Sequence, residues 1–299
     1  MISIDHLVLF LRYLVDERHY SLQTKHAYED DVTHFFKFLE ETGNSDYLNI
    51  TFQDARVYLA YLHDKEYSRN TISRKISSLR SYYHFLIKNE WMTDNPFSYI
   101  QMKKKQSKLP SFLYEKEMAI LLDSVSGQSL LDRRNRALLE LLYATGIRVS
   151  ECVSIELNDL DIDNGIVLIN GKGGKQRYVP FGSFCTDALI DYISTTRVEL
   201  MTKYQCTHEK LFINHHGQVL TAKGVQYILD KLIKKSSLTT NIHPHIFRHT
   251  FATHLLDNGA DMRTVQELLG HSSLSSTQIY THVTTSALQK NYRNFHPRA

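Results

Sequence analysis

The stretch HPHIFRHTFATHLL, residues 243 to 256, puts four histidines and one arginine into fourteen residues. Pro244 suits a first helical turn, and Phe247, Phe251, Leu255 and Leu256 recur at helical spacing, so the stretch is expected to be a helix. Three kinds of chemistry fit it. His245 and His249, four apart on one face, have the spacing of two imidazole ligands to a metal ion. Against that reading, Arg248 would set a permanent cation beside the ion, and no acid stands where the H-E-x-x-H pattern needs one. Imidazoles hydrogen-bonded inside a core are the second reading, expected here for His249 and His254. In the third, His245 and Arg248, one turn apart, jointly face an anion such as phosphate.

Other residues with chemical capacity stand at the ends of elements. LLYATGIRVSE ends one helix at Gly146 and begins another near Ser150, leaving Arg148 in the connection beside a helix N-terminus, which suits an anion. GIVLINGKGGKQRYVPFG has a β-branched run at 166–169, a Gly173-Gly174 turn and a second strand around 176–180, a hairpin with Lys172 beside its tip. It is not a phosphate-binding P-loop: Gly165 and Gly171 are one residue too far apart, and Gly rather than Ser or Thr follows Lys172. LLGHSSLSSTQIYTHV puts His271 just after a helix-ending Gly270, and Tyr280 on a short helix opened by Ser275 with Gln278 as its capping partner. Taken singly, each has a plain structural reading: Lys172 as a solvated turn lysine, Tyr280 as a packed aromatic.

The elements that must position these residues are legible in outline. The chain has 299 residues, 42% of them hydrophobic, enough for two domains with sizeable cores. Residues 1–105 read as helical throughout, with apolar stripes near 7–14 (Leu7, Phe10, Leu11, Leu14), 32–39 (Val32, Phe35, Phe36, Leu39), 57–62 and 72–86, a four-helix bundle. MKKKQSKLP at 102–110 lacks apolar periodicity and ends in proline, so 106–110 is expected to be a basic interdomain linker. Residues 111–299 read as mainly α with a small β-sheet.

Three cysteines, Cys152, Cys185 and Cys206, are an odd count without C-x-x-C spacing, against a disulfide framework or zinc knuckle and in keeping with a reducing cytoplasm. LVLFLRYLV, broken by Arg12 and preceded by Asp5, is neither a signal peptide nor a membrane span, so no membrane insertion is expected. A net charge of +3 is too small to define a nucleic-acid partner unless the charges cluster. They do cluster in RNTISRKISSLR, where Arg69, Arg74, Lys75 and Arg80 share a helix with apolar Ile72, Ile76, Leu79 and Tyr83. These four basic residues are candidates for DNA contact, with a solvated face as the plain alternative.

In order and spacing, Arg148, Lys172, His245, Arg248, His271 and Tyr280 resemble the tyrosine recombinases, or phage integrase family, over essentially the whole chain. Size, the absence of an extra N-terminal arm domain and the closing FHPRA look like the bacterial Xer chromosome-dimer recombinases. The resemblance implies a tyrosine recombinase catalytic fold within a two-domain C-shaped DNA clamp. It also implies cleavage and rejoining of DNA through a 3′-phosphotyrosyl intermediate, with no cofactor, metal or ATP. Arg148 and Arg248 would clamp the non-bridging oxygens, Tyr280 would attack, and His245 would accept its proton. Lys172 would protonate the leaving 5′ oxygen, and His271 would donate a hydrogen bond as charge grows.

Implied partners are a double-stranded recombination site, a related recombinase in a tetramer of two plus two, and a septal DNA translocase as activator. A mobile-element integrase and a type IB topoisomerase-like strand transferase are the nearest alternatives. The tail stripe of Leu288, Tyr292 and Phe295 is too short to be stable unpacked, and the resemblance implies docking on a neighbouring subunit; the alternative is that it covers its own domain.

Overall fold

The computed structural model describes residues 4–43, 46–101, 112–171, 175–236, 244–270 and 285–299, with the backbone alone at 4, 244 and 285–287. The linker at 106–110, Lys172, His271 and Tyr280 lie outside the described residues. The chain divides into two compact units, Met1–Ser107 and Lys108–Ala299.

The first unit consists of α1 (Ile4–Asp16), α2 (Leu22–Glu41), α3 (Phe52–Asp64) and α4 (Arg69–Lys88). Ser21, Thr51 and Ser68 open the last three helices, each side-chain oxygen accepting from the backbone N–H three residues on. The expected stripes turn inward: Phe10, Leu14, Val32, Phe35, Ile72 and Leu79 are wholly buried. Aromatic edges close the core, with Phe35 against Tyr58 and Phe97.

Here the basic helix needs correction. Asp31 of α2 is 0% exposed and accepts from Lys75 Nζ (3.2 Å), Ser78 Oγ (2.8 Å) and Arg74. Lys75 is itself buried at 6% exposure. Arg80 donates to the carbonyls of Phe97 (3.2 Å) and Ile100 (3.0 Å) and so holds the chain that leaves α4. The reason is helical phase: position 75 lies three after Ile72 and beside Ile76, on the apolar face, where an ammonium must find a carboxylate. Lys75 and Arg80 therefore tie this unit together, and Arg74, although exposed, joins them through its bond to Asp31; Arg69 is exposed.

The second unit is built on α6 (Leu130–Thr145), preceded by α5 (Glu115–Asp123) and followed by the short α7 (Val149–Ser154). Every residue of α6 from Ala137 to Thr145 is buried, the mark of a helix packed on all sides. The hairpin strands are β2 (Ile166–Asn170) and β3 (Gln176–Pro180), antiparallel with Val167 opposite Val179 and Ile169 opposite Arg177. A two-residue β1 (Leu160–Asp161), too short to leave a period in the sequence, adds to the β2 edge.

Around α6 and the sheet lie α8 (Ser183–Asp191), a π-helical turn at Tyr192–Arg197, α9 (Val198–Lys203) and α10 (Ala222–Ser236). The predicted histidine-rich helix is α11 (Pro244–Asp257), followed by α12 (Met262–Leu269) and α13 (Thr285–Phe295). Among the described residues no helix is long and apolar enough to cross a membrane.

The tail packs on its own unit, the alternative that its short apolar stripe left open. Tyr292 is 2% exposed, and Leu288 and Phe295 pack against the same core. Beyond α13, Arg298 donates through Nε (2.9 Å) and Nη2 (2.6 Å) to the buried carboxylate of Glu140 on α6. A carboxylate inside the buried stretch of a helix needs such a partner, and the tail carries it.

Candidate active site

Arg148 and Arg248 come together because one guanidinium organises the helix end that precedes the other. Gly146 ends α6 in the left-handed conformation at φ +58°, and a Cβ there would lie 2.5 Å from the Phe251 ring, so only glycine permits both the turn and the close approach of α11. Arg248, 9% exposed, donates through Nη1 to Gly146 O (2.9 Å) and through Nη2 to Leu269 O (2.6 Å). It thus satisfies carbonyls at the C-termini of both α6 and α12. Two residues past Gly146, Arg148 stands at the N-terminus of α7 with 41% of its side chain exposed.

Glu151 completes the arrangement. Its carboxylate accepts from Arg148 N (2.9 Å) and Arg148 Nη1 (3.0 Å), and also from Arg177 Nη1 (3.2 Å) and Nη2 (3.0 Å) of β3. Burial pushes the Glu151 pKa up, but the bonds from Arg177 and Arg148 more than offset this and leave it below the ordinary carboxylate value. Arg248 is pulled the other way: burial, then its cationic neighbour Arg148, lower its pKa to about 10, with Glu151 opposing and Arg177 adding to the fall. It remains a cation at neutral pH. The result is a positively charged, partly solvent-facing cluster, the electrostatic character a phosphate site needs.

Neither Glu151 nor Arg177 was among the predicted site residues, although both left a local trace. Glu151 stands three after Arg148, the position from which a carboxylate reaches back to the N–H that opens a helix. Arg177 shares the inward parity of β3 with Val179, and a charge on the buried face of a strand must find a partner.

The histidines separate. His245 is exposed in the first turn of α11, one turn before Arg248. His249, expected in the core, is exposed instead, because Phe247, Arg248 and Phe251 take the inner face of α11. His254 is the core histidine: 3% exposed, with Nδ1 2.8 Å from the Tyr143 hydroxyl and its pKa lowered by burial.

Residues 111–287 match the phage integrase family and residues 7–90 match the phage integrase N-terminal SAM-like domain. The chain belongs to the phage integrase family, the tyrosine recombinases. Within it the chain is of Xer type: it is 55% identical over 291 residues to the tyrosine recombinase XerC of Listeria innocua and 50% identical over 293 residues to that of Pediococcus pentosaceus, in each case across 97% of both chains. Its structure is similar to that of the XerH site-specific recombinase bound to palindromic difH substrate after cleavage, with 27% identity, a TM-score of 0.69 and coverage of 91% of this chain and 80% of that one. A lambda integrase dimer bound to a core site shares the fold, at 19% identity and a TM-score of 0.65, over 91% of this chain and 96% of that one.

Proposed function

We infer that this chain cuts and rejoins DNA strands at a specific site, resolving chromosome dimers at cell division. The observation that carries the reading is the pair of guanidiniums: Arg248 holds the helix end from which Arg148 emerges, so both forks belong to one rigid corner of the fold. Two such forks can each form bidentate bonds to the non-bridging oxygens of a phosphodiester.

The remaining roles follow the chemistry. Tyr280 attacks phosphorus while its proton passes to His245, since a phenol with an ordinary pKa of about 10 is protonated at neutral pH. The bond between phosphorus and the 5′ oxygen breaks, and Lys172 supplies the proton that the departing oxygen takes. His271 donates to the phosphate as negative charge builds. The 3′-phosphotyrosyl bond retains the reactivity of the phosphodiester, so a 5′-hydroxyl from another strand reverses the step without ATP.

Residues 1–105 would act as the core-binding domain and 111–299 as the catalytic domain. Arg69 and Arg74 would contact phosphates, which give affinity without sequence preference. A related recombinase would complete a tetramer of two plus two, a septal DNA translocase would activate it, and the work would be done in the cytoplasm.

The test uses a nicked duplex built on the sequence that the chain protects when its own chromosome is footprinted. Loss of the short fragment beside the nick traps the intermediate, and a covalent protein–DNA adduct on a denaturing gel is expected. Protection without an adduct would reduce the chain to a DNA-binding protein.

A further inference from the structure

Glu151 poses a problem for the site it helps to build. Its carboxylate, 6% exposed, lies 3.0 Å from Arg148 Nη1. Left to itself it would hold Arg148 in a neutral ion pair and draw that guanidinium away from an incoming phosphate. Arg177 answers this by donating two bonds of its own, at 3.2 and 3.0 Å, to the same carboxylate. With Arg248, the cluster holds three guanidiniums and one carboxylate, an excess of two positive charges. A phosphodiester carries one negative charge, and a second accumulates as a phenolate oxygen bonds to phosphorus. The cluster therefore matches the charge of the transition state better than that of the bound substrate.

The placement of Arg177 is also fixed from its other side. Gly270, at φ +67° at the end of α12, lies so close that a Cβ there would come within 2.8 Å of Arg177 Cδ and 2.9 Å of its Nε. The neighbouring Leu269 carbonyl is held by Arg248. A closed circuit results: Arg248 to Gly146, onward to Arg148, Glu151 and Arg177, and back through Gly270 to the helix end that Arg248 caps. A side chain serving only to satisfy a buried acid would not need to stand in that circuit.

We propose that Arg177 is a positioning residue for strand cleavage: by occupying the Glu151 carboxylate it leaves the charge of Arg148 available to the scissile phosphate. This rests on the recombinase reading above. The experiment measures single-turnover adduct formation and binding on the same nicked duplex, for the parent and three variants. Arg177→Gln should slow adduct formation about tenfold to a hundredfold while changing the DNA Kd by less than about threefold. Arg177→Lys, which keeps the charge, should recover most of the rate. The decisive variant combines Arg177→Gln with Glu151→Gln. Removing the carboxylate removes the need for its neutraliser, so the double variant should cleave faster than Arg177→Gln alone.

A purely structural role predicts that any loss of cleavage tracks a loss of melting temperature, since a buried pair that loses one partner is destabilised and one that loses both is not. A double variant that regains the parental melting temperature yet cleaves no faster than Arg177→Gln would overturn the proposal. So would a parental rate in Arg177→Gln, or equal losses of binding and cleavage. Should Arg177→Gln fail to fold, Arg177→Lys decides: near-parental cleavage supports the charge role, and loss of cleavage with intact binding and melting temperature overturns it. Absence of an adduct from the parent would instead strike the recombinase reading, and this inference with it.

Discussion

Arg248 Nη1 donates to the carbonyl of Gly146 at 2.9 Å, across 102 residues of chain. A residue expected to bind phosphate is thereby also a cap on the central helix of its domain, and catalysis and stability meet in one side chain.

The two arginines should accordingly behave differently when removed. Both Arg148→Ala and Arg248→Ala are expected to cut cleavage far more than DNA binding, since their bonds strengthen as charge develops. Only Arg248→Ala should also lower the melting temperature, because it abandons two backbone carbonyls whose charge-assisted bonds contribute about 1.5–3 kcal/mol each. Thermal denaturation of the two variants side by side checks this, and equal stability losses would contradict it.

Tyr280→Phe is expected to bind its site normally and to form no covalent adduct, because the aromatic ring stays and only the nucleophilic oxygen is lost. An adduct that persists in this variant would move the nucleophile to another residue.

Lys172→Ala should slow cleavage of ordinary DNA by about a hundredfold to ten-thousandfold, the usual contribution of a general acid. Replacing the 5′ bridging oxygen by sulfur should largely restore the rate, since a thiol with a pKa of about 8.5 leaves without a proton. Arg248→Ala should gain little from the same sulfur. Equal rescue of both variants, or of neither, would remove Lys172 from the role.

Removing residues 285–299 should now destabilise the catalytic unit itself. Truncation exposes the pocket of Tyr292 and leaves the Glu140 carboxylate, 1% exposed, without Arg298. Breaking a buried pair in this way costs about 3–5 kcal/mol. A truncated chain with an unchanged melting temperature would show that the cis packing contributes nothing.

Acid should weaken the same junction. His296 is 5% exposed, and burial lowers its pKa from the ordinary 6.5 to about 3. Between those values the unfolded chain binds a proton that the fold refuses. The stability is therefore fully present above pH 6.5 and is lost as pH falls toward 3, by up to about 1.4 kcal/mol per pH unit. Burial lowers the His254 pKa as well, so it adds to the same limb. Melting temperatures from pH 8 to pH 5 should fall for the parent and fall less for His296→Asn; parallel curves would refute the assignment.

By itself the sequence determined what neighbours along the chain decide. Apolar residues at helical spacing placed α1, α2, α4 and α11, a β-branched run and paired glycines placed the hairpin, and Gly146 and Gly270 marked two helix ends, because periodicity and capping are settled within a few residues. The order of Arg148, Lys172, His245, Arg248, His271 and Tyr280 carried the family. Tertiary structure alone decided which charges meet. Lys75 reaches Asp31 across 44 positions, Arg177 reaches Glu151 across 26, and Arg298 reaches Glu140 across 158. No local period encodes such distances. A buried charge must find its counterpart wherever packing brings one, so Lys75 left the expected DNA face, His249 turned outward while His254 turned in, and the tail closed on its own domain.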